Sequence, residues 1–157
     1  MIQNESTPAF EHMNSIKNNG VSKEKIEKAK WMIKEYQGAK LRSIIRRKKR
    51  PKLMKRLDVR LDHYPETGII DYNHQEATFL IPEDQAYFQS FLLEMDIVWI
   101  VEHAIAAIPD NIAKAIAKDM INSNCSIQET QKKYNLSSRS ARRKRQNVVN
   151  AIASILP

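Results

Sequence analysis

The chain has 157 residues, a net charge of +8 and an apolar fraction of 42%, which fit one compact protein with a sizeable core and at most an appended arm. The chain has only three glycines, which argues against a fold of tight hairpins, so we expect an all-α protein. Its one cysteine excludes an internal disulfide and fits a reducing compartment, so we expect a cytoplasmic protein. No apolar run approaches the ~18 residues of a membrane span, and residues 1–14 lack the basic start and apolar stretch of a signal peptide.

The front of the chain is predicted to contain a flexible arm and a long helix. Residues 1–21 are polar and show little periodicity, which is typical of an arm. Ser22 is a favourable N-cap residue, and the helix that it starts should run to about Arg50, because Pro51 cannot donate the next backbone hydrogen bond. Its apolar positions recur near the helical period and are predicted to face inward: Ile26, Ala29, Ile33, Tyr36 and Ile44.

A second, shorter helix is expected over residues 52–61, and it completes a basic helical region at residues 22–61. Residues 62–82 are rich in turn residues and are predicted to form a loop, with a short extended piece at residues 68–72. This loop separates the basic helical region from the more apolar remainder of the chain.

Residues 83–157 are predicted to form the helical core together with a C-terminal pair of helices. Residues 85–108 are apolar nearly all round, which is typical of a helix buried on several sides. We therefore assign Trp99 to the core and not to an exposed platform for base stacking. Asp110 or Asn111 should cap the next helix, whose inward positions are predicted to be Ile112, Ala115, Ile116 and Met120.

Residues 126–152 have the spacing of a helix-turn-helix, in which a short turn joins two helices. The stretch Ser126–Glu129 has the pattern of a capping box at the start of the first helix. Asn135 tolerates the left-handed conformation that the turn requires, and Ser137 or Ser138 should cap the second helix. The positions predicted to face inward are Ile127, Thr130, Gln131, Tyr134, Leu136, Ala141, Val148, Val149 and Ile152.

Two dense basic segments stand out against a mildly acidic remainder. Residues 40–56 contain ten Lys or Arg residues and no acid, and residues 139–147 contain five more. Without these fifteen cations the chain has a net charge of −7. The plain alternative for the second segment is a solvated helix face, but such faces usually mix charge signs so that ion pairs form. Clustered like charges instead favour a polyanionic partner such as nucleic acid.

The residues on the first two turns of the last helix are those that could enter a DNA groove. We predict that four of them contact bases: Arg139, Ser140, Arg142 and Arg143. Phosphate contacts, which fix register without specifying sequence, are predicted for Ser137, Ser138, Lys144, Arg145 and Gln146. The front cluster is predicted to contact phosphates through Arg46, Arg47, Lys48, Lys49 and Arg50, although an RNA contact or a solubilising role would also fit.

Signals of an enzyme or of a metal site are missing from the sequence. The four histidines show no metal-ligand spacing, and there is neither a glycine-rich phosphate loop nor a nucleophile motif. We therefore expect no catalytic residues, no cofactor and no metal.

The C-terminal stretch IPDNIAKAIAKDMINSNCSIQETQKKYNLSSRSARRKRQNVVNAI, residues 108–152, resembles the fourth conserved region of bacterial sigma factors. The shared pattern is an Ile-Pro before a helix, a Ser-x-x-Glu helix, a turn and a second helix. It departs from the family at three positions: Asn135 replaces the usual Gly, Thr130 the common Ala, and Lys144 an apolar residue.

The overall layout is similar to the ArpU/RinA-type late transcription activators of Gram-positive phages. That resemblance implies a sequence-specific transcriptional regulator, most readily an activator, of phage or prophage origin. Its expected partner is double-stranded DNA, with RNA polymerase and a second copy of the chain as further candidates. The alternative is a phage DNA-packaging protein of the small-terminase kind, or an RNA-binding assembly protein.

Overall fold

The computed structural model describes residues 21–157, so the predicted arm at residues 1–21 lies outside it except for Val21. The described chain is mostly α-helical and contains no strand, which confirms the all-α prediction. No helix in it is both long enough and apolar enough to cross a membrane. The helices are α1 Lys23–Lys49, α2 Pro51–Arg56, α3 Tyr64–Thr67, α4 His74–Ala77, α5 Pro82–Ala106, α6 Asn111–Ser123, α7 Ile127–Tyr134 and α8 Ser138–Ser154.

Helix α1 begins where the sequence predicts. The hydroxyl oxygen of Ser22 accepts a hydrogen bond from the backbone N–H of Lys25 at 3.3 Å, which satisfies one of the amides left open at a helix start. The expected inward positions are buried with the exception of Ile44, which is 45% exposed. Ser43 takes the inward place instead, and this burial is tolerated because its hydroxyl donates to the Lys40 carbonyl at 2.8 Å.

The region after α1 contains more helix turns and a shorter second helix than predicted. Helix α2 ends at Arg56 and not near residue 61, because Asp58 adopts a left-handed φ of 50°. The predicted loop at residues 62–82 holds the two short helices α3 and α4, and its only extended feature in the described chain is an isolated bridge between Arg60 and Asp71. Turn residues still shape it, since Gly68 ends α3 with a φ of +68°.

The chain divides into two compact units. The central unit comprises Glu35–His103. In the described chain, the terminal unit comprises residues 21–34 together with Ala104–Pro157. The long helices α1 and α5 each contribute residues to both units.

Aromatic and aliphatic side chains from α2 to α5 form the core of the central unit. Trp99 is partly buried against this core and stacks on His103 with ring centroids 4.6 Å apart, as the assignment of Trp99 to the core predicted. Gly68 lies against the Trp99 ring so closely that a Cβ atom there would overlap it. The buried core residues are Leu53, Met54, Leu57, Tyr64, Ile70, Leu80, Phe88, Phe91 and Met95.

The terminal unit is organised by helix α8, against which α6 and α7 both pack. Asp110 is the N-cap of α6, as predicted. The prediction that Ile112 faces inward is wrong, since it is 43% exposed, and Ala115 is only half-buried. The predictions for Ile116 and Met120 are confirmed, and the small Ala113 and Ala117 take the inward places beside them, where they allow close packing. The inward face of α6 consists of Ala113, Ile116, Ala117, Met120 and Ile121.

Candidate nucleic-acid interface

The segment from Cys125 to Leu136 is fixed by local hydrogen bonds that its sequence predicts. In the capping box, the Ser126 N–H donates to Glu129 Oε1 at 2.8 Å and the Glu129 N–H donates to Ser126 Oγ at 3.1 Å. Asn135 ends α7 in the left-handed conformation with a φ of 53°. The backbone N–H of Leu136 donates to the carbonyl of Gln131 at 3.0 Å, which closes the turn. The side chain of Leu136, which was predicted to be buried, is only half-buried.

Helix α8 starts directly after this turn. Of the two serines proposed as its cap, Ser137 is the one used, because its Oγ accepts a hydrogen bond from the Ser140 N–H at 3.1 Å. Ala141 is completely buried, which lets α8 approach its neighbours closely. The other predicted anchors are buried as well: Val148, Val149 and Ile152.

The first two turns of α8 present three exposed arginines. Arg139, Arg142 and Arg143 are all exposed, whereas Ser140 is half-buried. Arg142 Nε donates to the hydroxyl oxygen of Ser138 at 3.3 Å. Arg139 and Arg143 form no ion pair or hydrogen bond with any side chain that the structure describes. Their positive charge is therefore free to meet an external anion.

Lys144 belongs to the same basic run but is held inside the protein. Its Nζ atom lies 2.6 Å from Oδ2 of Asp110, and its side chain is only 16% exposed. This ion pair joins α8 to the start of α6. The hydrogen bond from Lys144, followed by the one from the Ala113 N–H, holds the pKa of Asp110 below its usual value.

Arg145 is also engaged within the terminal unit. Its Nη1 donates to the carbonyl oxygen of Cys125 at 2.8 Å and lies 3.4 Å from Oγ1 of the buried Thr130. Gln146 donates to the side-chain oxygen of the buried Asn150 at 3.0 Å. Of the residues predicted to contact phosphate from α8, Lys144 and Arg145 thus have partners outside the helix that fix it in place, whereas the partner of Gln146 lies on α8 itself.

A second set of contacts fixes α7 to α6. Lys133 Nζ lies 3.0 Å from the carboxylate of Asp119, and the Tyr134 hydroxyl donates to the same carboxylate at 2.5 Å. Burial alone would raise the pKa of Asp119, but these two donors outweigh it, and the pKa is lowered. The carboxylate therefore stays charged and keeps both partners near neutral pH.

The front basic cluster, residues 46–50 of the central unit, contains both paired and unpaired cations, as the basic run of α8 does. Arg46 Nε lies 2.6 Å from the buried Glu94, and Arg50 lies 2.5 Å from Asp84. Both guanidinium groups also lie over the ring of Tyr87, at 5.2 Å and 4.9 Å from its centroid. These contacts stabilise α1 against α5.

Three neighbouring cations of this cluster are not engaged in this way. Arg47, Lys48 and Lys49 are exposed, and none of them forms an ion pair with an acid in the described chain. They lie at the C-terminal end of α1, where the helix dipole also favours positive charge. The pairing of Arg46 and Arg50 was not predicted, because their acids are 48 and 34 residues away in the sequence.

The described residues hold no group of three or more His, Cys, Asp or Glu side chains that could bind a metal ion. Comparison with models of protein families, with curated proteins and with solved structures finds no match. The resemblance of residues 108–152 to sigma factors therefore stays a prediction.

Proposed function

We propose that this chain is a sequence-specific DNA-binding transcriptional regulator, a phage or prophage activator that acts through a helix-turn-helix formed by α7 and α8. The observation that carries the proposal is the pair Arg139 and Arg143, both exposed and both without a partner in the described chain. An unpaired arginine is suited to guanine, whose O6 and N7 accept two parallel hydrogen bonds.

The contacts around α8 support this role, because a helix that contacts bases must be held in one position. Lys144 and Arg145 tie α8 to the start of α6 and to the turn before α7. We therefore propose positioning roles for these two residues. Arg139, Ser140, Arg142 and Arg143 keep the proposed base contacts, and Ser137, Ser138 and the open amides at the start of α8 bind phosphate.

The front cluster contributes a second surface for phosphate. We propose that the DNA backbone is contacted by Arg47, Lys48 and Lys49, since Arg46 and Arg50 already form ion pairs with Glu94 and Asp84. Such contacts add affinity on any sequence and make binding sensitive to salt. Activation would follow from a further contact with RNA polymerase near the bound site.

Selection from a random pool of double-stranded DNA tests the proposal. The wild-type protein should enrich one short motif, and the Arg139→Ala and Arg143→Ala variants should each lose preference at one or two positions of it. Failure to enrich any motif from DNA, with tight binding to RNA of any sequence, would instead favour an RNA-binding assembly protein. A ring-sized oligomer in light scattering would favour the packaging alternative.

A further inference from the structure

A groove of about 530 Å³ lies within the terminal unit between α1 and α8. Its apolar floor is built from the buried side chains of Ile33, Met120 and Val149. Trp31 lines the same groove and is 49% exposed. A large aromatic ring beside an apolar concavity of this size is typical of a binding site for a small organic molecule.

Cations predominate among the polar side chains of this groove. Lys30, Lys34, Arg142 and Arg145 line it together with one acid, Glu27. Glu27 is paired weakly with Lys30 at 3.7 Å, and both of these side chains are largely exposed to solvent. Lys34 and Arg142 form no ion pair with an acid in the described chain. The groove therefore combines an apolar floor with uncompensated positive charge.

We propose that this groove binds an organic anion that has a flat apolar body. The ring system would stack on Trp31 above the apolar floor, and a carboxylate, sulfonate or phosphate group would pair with Lys34 and Arg142. The volume lies in the usual range for such ligands, roughly 300–1,000 Å³. A second copy of the chain fits the groove less well, because two chains of charge +8 repel each other.

Arg142 gives the groove a connection to DNA binding, and this step rests on the proposed function. Arg142 lines the groove and is also one of the proposed base-contacting residues. An anion bound to its guanidinium competes with DNA for the same charge. An occupied groove should therefore weaken DNA binding, and the bound molecule would act as an effector of the regulator.

Titration with anilinonaphthalene sulfonate, a flat apolar anion whose fluorescence rises in apolar surroundings, tests the site without DNA. The full chain should bind one molecule and show energy transfer from Trp31. Lys34→Gln and Arg142→Gln should each weaken binding about five- to tenfold, the usual effect of removing one charge-assisted hydrogen bond. Trp31→Phe should retain the affinity but lose most of the transfer, and Trp31→Ala should lose both.

Two matched controls separate this site from other apolar surface. Phe79 is 68% exposed but lies outside the groove, so Phe79→Ala should leave the titration unchanged. The neutral dye phenylnaphthylamine should bind more weakly than the sulfonate and should not respond to Lys34→Gln. Wild-type affinity of Lys34→Gln, Arg142→Gln and Trp31→Ala for the sulfonate, with circular dichroism spectra like the wild type, would overturn the proposed site.

The connection to DNA has a separate readout. The sulfonate dye should raise the dissociation constant of wild-type protein for its selected DNA, and Trp31→Ala should abolish this effect without changing DNA affinity in the absence of dye. A dye that binds the groove and leaves DNA affinity unchanged would overturn the connection and leave the site standing. If no DNA is bound, the proposed function fails while the dye titration still decides the groove.

Discussion

The carboxylate of Asp110 serves two helices at once, because one oxygen caps α6 and the other binds Lys144 of α8. Its Oδ1 accepts hydrogen bonds from the N–H groups of Ile112 at 2.9 Å and Ala113 at 3.3 Å, while its Oδ2 lies 2.6 Å from Lys144 Nζ. Lys144, one of the cations in the basic run of α8, thus joins two helices of the terminal unit.

The terminal unit should lose stability in acid because the folded state lowers the pKa of three of its carboxylates, those of Asp110, Asp119 and Glu129. The pKa of Asp110 is lowered by the hydrogen bond from Lys144 and by two backbone amides, and that of Glu129 by the hydrogen bond from the Ser126 N–H. A carboxylate whose pKa is depressed in the folded state stabilises the fold at pH values above its ordinary pKa, which is 3.8 for Asp and 4.5 for Glu. This contribution is lost as the pH falls through the folded pKa.

Urea unfolding at neutral pH and in acid checks this prediction. The free energy of unfolding should fall as the pH drops below about 4, and Asp110→Asn should make that fall shallower. Glu66→Gln is a matched control, since Glu66 is exposed and its carboxylate forms no ion pair in the described chain. If the free energy of unfolding of the Asp110→Asn variant fell as steeply with pH as that of the wild type, the Asp110 carboxylate would not contribute to the loss of stability in acid.

Arg145 should matter for stability, whereas Arg139 should not. Arg145→Met removes the donor to the Cys125 carbonyl, and the missing hydrogen bonds should cost about 1–3 kcal/mol of unfolding free energy. Thr130→Val removes the hydroxyl near the same guanidinium and should act in the same direction. Arg139→Met is the control, because exposed Arg139 has no such partner in the described chain. Denaturant titration decides, and equal stability of both arginine variants would contradict the positioning role of Arg145.

Two glycines should respond in opposite ways to alanine. Gly68→Ala puts a Cβ into the Trp99 ring at a left-handed φ of +68°, and the strain and overlap should cost about 2–5 kcal/mol. Gly38→Ala lies inside α1 and should stabilise by about 0.5–1 kcal/mol, because helical alanine loses less backbone entropy. Its Cβ would lie 2.7 Å from Nη1 of Arg42, so this guanidinium, which also pairs with Glu35 and Glu94, has to shift, and the gain should lie at the lower end of that range. The melting temperatures of the two variants check these predictions. A Gly68→Ala variant as stable as the wild type would be inconsistent with a left-handed Gly68 packed against Trp99.

The front cluster should determine part of the salt dependence of DNA binding. Changing Arg47, Lys48 and Lys49 together to Gln should reduce the slope of log affinity against log salt by about 0.9 for each phosphate that the protein no longer neutralises. Changing Lys23, Lys28 and Lys30 to Gln removes the same charge elsewhere on α1 and should reduce the slope less. Fluorescence anisotropy at several salt concentrations measures both slopes, and equal slopes for the two triple variants would argue against phosphate contacts by Arg47, Lys48 and Lys49.

Much of the fold could be predicted because its signals are local. The capping box at Ser126, the left-handed turn at Asn135 and the break at Pro51 each depend on residues within about four positions of one another. Such features need no knowledge of distant contacts, and the structure confirms them.

The pairing of individual cations could not be predicted in this way. Lys144 and Asp110 are 34 residues apart, and Arg145 and Cys125 are 20 residues apart, so nothing in the basic run itself marks these two side chains. A helical wheel does place them on either side of the buried Ala141, which is the signal that could have separated them from Arg139 and Arg143. The inward face of α6 could be predicted only in part for a related reason: Ile116 and Met120 are buried as expected, but the small Ala113 and Ala117 carry little hydrophobic pattern.

The specificity ratio of the Arg143→Ala variant tests the central claim most directly. This ratio compares affinity for the selected DNA motif with affinity for unrelated DNA at one salt concentration. We expect Arg143→Ala to lower it about 5- to 100-fold, whereas Lys48→Ala should weaken both affinities equally and leave the ratio unchanged. An Arg143→Ala protein that keeps the full wild-type ratio would contradict the proposed contact of α8 with DNA bases.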